Sequence, residues 1–248
     1  MTKTQPLVNG RFSSGTTTQT DLMLISARGI FKSYKPEDGG PDTMAVEVLK
    51  GLDLDIYAGD AVCIMGSSGA GKSTFLHLLG ALDRPTMGSV RFRNQDLFSL
   101  SDDELSGFRN RSMGFVFQFH HLLAEFSALE NVMMPALIGG VSPRTARAEA
   151  ETLLDELGLA TRMNHRPNAM SGGEQQRVAI ARALVRKPAV IFADEPTGNL
   201  DQKTGHQVQN LLFELQRRRK LALVAVTHDQ EFAKKFPKVR VLRDGQWC

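Results

Sequence analysis

The sequence predicts an α/β fold built on a largely parallel sheet, and three observations lead there. The apolar runs AVCIM (61–65), AVIFA (189–193) and LALVAV (221–226) have the length and composition of buried strands. Through the second half of the chain, strands alternate with stretches of helical period, as crossover connections between parallel strands require. The first run passes through a glycine-rich turn, GSSGAGKST at 66–74, directly into a helical stretch.

The elements follow in order. LMLISARGI (22–30) and AVEVLKGLDLDIY (45–57) read as strands, the second with apolar alternation, and the turn-rich PEDGGPD (36–42) separates them. AVCIMG (61–66) is a short buried strand ending in glycine. A helix runs from about Lys72 to Leu82, and Asp83-Arg84-Pro85 stops it. GSVRFRN (88–94) reads as a hairpin strand. SDDELSGFRNR (101–111) opens with an N-cap serine and an acidic first turn that suits the helix dipole. From about 120 to 187 the chain is mostly helical. SALENVMMPALI has helical apolar spacing, and Ser142-Pro143 opens a helix ending near Gly158. GEQQRVAIARALVRK (173–187) is amphipathic, with Val178, Ala181, Leu184 and Val185 on one stripe. Strand AVIFAD, helix 202–219, strand ALVAVTH, helix 229–236 and strand VRVLRDG complete the alternation.

The 248 residues, 42% of them hydrophobic, suffice for one large domain with a substantial core. A net charge of +3 is too small to imply a nucleic-acid partner by itself. The cysteines, Cys63 and Cys248, show no framework spacing, which favours a reducing compartment. No apolar run approaches the ~18 residues of a membrane span, so direct membrane insertion is not expected. Residues 1–21 lack the apolar core of a secretory signal and read as a disordered polar leader. Any membrane role is expected to come through a partner.

The turn fits G-x-x-x-x-G-K-[ST], with Gly66, Gly71, Lys72 and Ser73 at the fixed places, and strand and helix flank it as the motif needs. In a P-loop of this kind, backbone N–H groups through Ser67, Ser68, Gly69 and Ala70 wrap phosphate oxygens. The helix N-terminus, with Thr74 just inside it, adds positive dipole character. Lys72 supplies a point charge between the outer phosphates, and the Ser73 hydroxyl is a Mg²⁺ ligand. AVIFADEP (189–196) ends an apolar strand in two carboxylates: Asp194 suits the Mg²⁺ shell and Glu195 suits the attacking water. Neighbouring strand residues point oppositely, which allows the pair separate tasks.

MSGGEQQR (170–177) then narrows the class. Ser171 and Glu174 have the spacing of a capping box, which by itself does not ask for two glycines. The order Tyr34, GSSGAGKST, Gln118, SGGEQ, DEP, Asp201 in GNLD and His228 in VTHD resembles that of the ATP-binding-cassette (ABC) ATPases, over nearly the whole chain after residue 22. The resemblance implies a P-loop NTPase (RecA-like) core with an antiparallel β subdomain and a helical subdomain at about 119–187, together forming a domain over 22–248. It implies ATP as substrate, Mg²⁺ as cofactor, and a homodimer in which two copies pair head to tail. Ser171, Gly172 and Gly173 of one copy then face the γ-phosphate held by the other, with the glycines letting backbone approach nucleotide. Tyr34 stacks on adenine, Gln118 touches Mg²⁺ or the water, and His228 hydrogen-bonds the γ-phosphate. Asp201 crosses the interface.

Other features point less far. His120-His121 has no third ligand at metal spacing. Cations at a helix C-terminus sufficiently explain Arg217-Arg218-Arg219-Lys220. Cassette ATPases of DNA repair and chromosome maintenance carry long coiled-coil or zinc insertions between phosphate loop and signature. The interval here, about a hundred residues, shows neither heptads nor Cys pairs, so no nucleic-acid partner is expected.

Within the transporters, QFHHLLAEFSALENVMMPALIGG (118–140) and NHRPNAMSGGE (164–174) are similar to the lipoprotein-releasing ATPases, the LolD family. That resemblance implies a peripheral subunit on the cytoplasmic face of the inner membrane, with integral permease subunits of LolC/LolE type as partners. The ATPases of macrolide-exporting and cell-division complexes are the alternative. Leu122, Leu123, Met133 and Met134 lie where the family meets its permeases and read equally well as core.

Overall fold

The structure, a computed structural model, describes residues 23–35 and 44–248. The leader at 1–21 and the PEDGGPD loop lie outside the described residues.

β1 (Met23–Tyr34), β2 (Val46–Tyr57), β4 (Met87–Phe92) and β5 (Gln95–Asp96) form an antiparallel sheet in the order β2-β1-β4-β5. The alternation expected across β2 breaks between the buried Leu49 and Leu52. Gly51 lies between them at φ +78°, and the β1–β2 register shifts repeatedly in this region. β1 runs four residues beyond the expected strand because Phe31 to Tyr34 go on pairing with β2.

The second sheet has six strands: β3 (Ala61–Met65), β6 (Met113–Phe117), β7 (Val190–Asp194), β8 (Ala222–Thr227), β9 (Lys238–Arg243) and β10 (Gln246–Trp247), ordered β10-β9-β3-β8-β7-β6. All its pairings are parallel except β9–β10. Alternate residues of the central strands enter opposite cores. Val62, Ile64, Phe192 and Val224 face the antiparallel sheet and α1 (Lys72–Leu79). Cys63, Ile191, Ala193 and Leu223 face the helices on the other side. Burial on both faces is why these strands read as unbroken apolar runs.

α2 (Asp102–Ser112) sends Leu105 into the first of these cores, and the helices of the second are α3 (Ala128–Ile138), α4 (Pro143–Glu156), α5 (Gly172–Leu184), α6 (Gln202–Arg219) and α7 (Gln230–Ala233). Capping boxes of the form S-x-x-E open α2, α3 and α5, each with the serine oxygen accepting from N3 and the glutamate returning to the serine N–H.

Three expectations are corrected. α1 ends at Leu79, not Leu82, because Ala81 takes the left-handed φ of +53°; Gly80 before it packs so closely on the Phe115 ring that a Cβ would overlap it. α7 is a single turn, since Pro237 disfavours helix just upstream and Phe232 and Phe236 turn into the core instead. α5 is encased rather than striped: Gln176, Ala179, Ile180 and Ala183 are buried along with the predicted Val178, Ala181, Leu184 and Val185. Its neighbours are α3, α4, α6 and β6.

Candidate nucleotide site

β3 leads into the 66–71 turn, whose glycines have separate jobs. A Cβ on Gly66 would collide with the Leu242 carbonyl of β9, and one on Gly71, at φ +98°, with Leu49 of β2. Both are demanded by the wedging of the loop between the two sheets. Gly69 has φ +78° and open space where a side chain would stand. Lys72 is 8% exposed, and its Nζ donates to the carbonyls of Gly66 and Ser67, each at 2.9 Å. The ammonium therefore bridges loop acceptors instead of facing only N–H donors.

Ser73 Oγ donates to Asp194 Oδ1 at 2.9 Å, joining the start of α1 to the end of β7. Burial pushes the Asp194 carboxyl above its ordinary range, and the Ser73 hydrogen bond opposes that rise. The next residue departs from the expected strand geometry. β7 ends at Asp194, and Glu195 takes φ +44°, the left-handed region rarely used by non-glycine residues. Its N–H donates to the Val226 carbonyl at 3.0 Å. The two carboxylates thus part through a backbone turn, not strand alternation. Glu195 Oε2 accepts the Thr227 hydroxyl at 3.0 Å, and Oε1 lies 2.8 Å from His228 Nδ1.

Gln118, one residue past β6, donates to Asn199 Oδ1 at 2.9 Å, and Asn199 Nδ2 donates back to the Gln118 carbonyl at 3.2 Å. Gly198 is bare where a Cβ would overlap the Gln118 amide. Ser68, Gly69 and Gly71 to Thr74 of the loop, with Gln118, Asp194, Glu195 and His228, line one cavity of about 700 Å³, and Gly66, Ser67 and Ala70 lie outside that lining. Among the described residues no cluster of three or more His, Cys, Asp or Glu could hold a metal alone. The Ser73 hydroxyl, the Asp194 carboxylate and the Gln118 amide oxygen are hard donors suited to Mg²⁺, which takes its remaining ligands from phosphate and water. The residues fit that ion.

Tyr34, Ser171, Gly172, Gly173 and Asp201 lie outside this cavity's lining. Tyr34 ends β1, 43% exposed, with its hydroxyl donating to Asp83 Oδ2 at 2.8 Å and Lys32 Nζ 4.6 Å from its ring centre. Burial and then the Asp83 bond push its phenol up. Ser171 is the N-cap of α5, and Arg162 braces the box through Glu174 at 2.8 Å. Asp201 caps α6 by accepting from Thr204 N. Thr204 and Leu200 pack against the signature glycines, so that a Cβ on Gly173 would overlap the Thr204 methyl. One reason for that glycine therefore lies within the chain itself.

Gln176 went unnoticed in the sequence. Fully buried on α5, it donates to the carbonyls of Phe117 at 3.3 Å and Pro196 at 2.6 Å, the residues flanking Gln118 and Glu195. Arg182, further along α5, donates to the carbonyls of His120 and His121. Asn199 and Thr227 were missed too, since a lone Asn or Thr beside a motif carries no spacing signal. Of the residues read as core or partner contact, Met133 is core, Leu122 and Met134 are partly buried, and Leu123 is exposed. Burial pushes the Cys63 thiol up to about 12, which leaves it unreactive.

Residues 49–198 match the family model described as ABC transporter. The chain belongs to the ABC transporter family. Among ABC proteins it is 57% identical to the lipoprotein-releasing system ATP-binding protein LolD of Bdellovibrio bacteriovorus over 223 residues, covering 90% of this chain and 99% of that one. It is 55% identical to LolD of Geobacter metallireducens, covering 90% and 97%. Among solved structures it is similar to the dimeric structure of MJ0796, a bacterial ABC transporter cassette, with TM-score 0.81 and 40% identity over 90% of this chain and 96% of that one. A dimeric post-hydrolysis state of the same cassette bound to ADP and Pi has TM-score 0.81 and 39% identity, with the same coverage. The ABC fold expected from the sequence, with its antiparallel sheet beside a P-loop core, is the fold observed. No described helix is long and apolar enough to cross a membrane.

Proposed function

We propose that this chain is the ATP-hydrolysing subunit of an ABC transporter that releases lipoproteins from the inner membrane. The observation that carries hydrolysis is the convergence of the phosphate loop, Asp194, Glu195 and His228 on one cavity. The cargo rests on the LolD relatives. No observation favours the macrolide-exporter or cell-division alternative.

In this reading Lys72 leaves the Gly66 and Ser67 carbonyls for the outer phosphate oxygens of ATP, and the N–H groups of 67–71 and the N-terminus of α1 hold the rest. Ser73, Asp194 and the Gln118 amide oxygen would hold Mg²⁺, which would neutralise charge on the phosphates; Gln118 Nε2 meanwhile stays on Asn199. Glu195 takes a proton from the attacking water, which adds to the γ-phosphorus as ADP leaves. His228 keeps Nδ1 toward Glu195 and offers its other ring nitrogen to the γ-phosphate. Adenine stacks on the Tyr34 face that Lys32 leaves free. The homodimer completes each site with Ser171, Gly172 and Gly173 from the other copy, while Asp201 couples the two.

Residues 22–248 make the ABC domain, with 119–187 as its helical subdomain. The subunit is peripheral, on the cytoplasmic face of the inner membrane, and its permease partners are LolC/LolE-like. A groove of about 690 Å³ between α2 and α3, rimmed by Leu82, Pro135 and the 73%-exposed Ile138, fits a short permease helix. The test is reconstitution with those permeases in proteoliposomes. The reading expects ATP-dependent transfer of an acylated lipoprotein to a soluble acceptor. ATP turnover in the assembled complex without transfer would refute the cargo while leaving the ATPase intact.

A further inference from the structure

Among the described residues the Glu195 carboxylate has two partners, and only one lies outside the reacting cavity. Thr227, at the end of β8, is 2% exposed and absent from the cavity lining. Its hydroxyl accepts from Asp229 N at 3.0 Å, a bond whose direction is fixed because an amide N–H only donates. The hydroxyl proton is thereby left for Glu195 Oε2 at 3.0 Å. Asp229 is itself held: its Oδ1 accepts from the N–H groups of Glu231 and Phe232, and its Oδ2 faces Gln209 Nε2 at 3.4 Å. Lys235 fixes Gln209 through its Oε1 at 2.9 Å. A chain of oriented groups therefore ends on one oxygen of Glu195. The other oxygen depends on His228, whose side chain is 70% exposed in the cavity.

We propose that Thr227 is a positioning residue for hydrolysis: its hydroxyl holds Glu195 Oε2 so that Oε1 faces the water. This rests on Glu195 being the base. The physical need is plain. Glu195 sits on a left-handed backbone turn past the end of its strand, so strand geometry does not set where its carboxylate points. His228 must also serve the phosphate, so Thr227 is the anchor that stays constant through the cycle. A misplacement of about 1 Å at a reacting group lowers rate by roughly 100-fold.

The test compares Thr227→Val and Thr227→Ser in the full chain, with steady-state ATPase, titration of a fluorescent ATP analogue, and thermal unfolding. Valine keeps the shape and removes the hydroxyl; serine keeps the hydroxyl and removes a buried methyl. Expected is a kcat loss of roughly 10- to 100-fold for Thr227→Val, with analogue affinity within about twofold of the native chain, and recovery to within about threefold in Thr227→Ser. Serine is the less well packed of the two, so a role in packing alone would give the opposite activity order, with kcat following the unfolding temperature. That order, or a folded Thr227→Val with native kcat, overturns the proposal. Thr227→Cys, which offers only a weak donor, replaces valine if the latter does not fold, with the same expected loss and the same contradiction. Glu195→Gln run alongside separates the two ideas. If it retains turnover, the base assignment fails. If it is inactive while Thr227→Val is native-like, the positioning role alone fails.

Discussion

Glu195 Oε1 and His228 Nδ1 stand 2.8 Å apart, joining the ends of two neighbouring parallel strands, β7 and β8. The contact puts the proposed base and the proposed phosphate donor in one hydrogen-bonded unit. With Nδ1–H donated to Glu195, the ring needs a second proton to donate to phosphate from its other nitrogen.

His228→Ala therefore removes a phosphate donor and one of the two anchors of Glu195. Turnover is expected to fall by at least roughly 100-fold, as for loss of a group acting in the transition state. Nucleotide affinity stays within about threefold, because the phosphate loop carries ground-state binding. Steady-state ATPase together with equilibrium titration checks the split. An equal loss in both would place His228 in ground-state binding.

Gly173 is required twice, by Thr204 of its own chain and by the nucleotide proposed to sit on the other copy. Gly173→Ala should lower stability, and adding Thr204→Ser, which removes the offending methyl, should restore it. Hydrolysis should stay absent in the double variant. Recovered hydrolysis would reduce the glycine to a packing residue. Urea unfolding beside ATPase assays distinguishes the outcomes.

Gln176→Leu leaves the Phe117 and Pro196 carbonyls without their buried donor. Unfolding free energy should drop by about 1–3 kcal/mol. Hydrolysis per folded molecule should drop too, because those carbonyls lie beside Gln118 and Glu195. Denaturant titration and active-site-normalised ATPase measure both. Native stability would mean that the amide is not needed there.

Glu104, Glu130 and Glu174 close the three capping boxes, and the serine N–H groups hold each below the ordinary carboxylate range. Folded values below unfolded ones mean that this stabilisation is complete above the ordinary value and fades as pH falls through the depressed ones. The unfolding temperature should thus decline between about pH 5 and pH 3. Glu174→Gln, which keeps a capping hydrogen bond without titrating, should flatten part of the decline. A circular-dichroism melt series over that range tests it, and an unchanged slope counts against it.

The fold was legible where local chemistry and tertiary demand agree. Runs such as LALVAV are apolar because both faces of β8 are covered, and S-x-x-E marks three helix starts. The cavity motifs were legible because phosphate binding fixes residue types at short spacing. Less could be read where contact crosses sequence distance. The glycine at 80 depends on Phe115, and the glycine at 173 on Thr204. The orientation of Glu195 depends on a backbone turn and on Thr227, 32 residues away. No pattern in either segment announces the other.

The most direct test of the central claim, that ATP is enclosed between two copies, is the mass in solution of Glu195→Gln with saturating ATP and Mg²⁺, by light scattering. The account predicts a dimer with ATP and a monomer with ADP. An ATP-loaded chain that stays a monomer, alone and in the assembled permease complex, would contradict it.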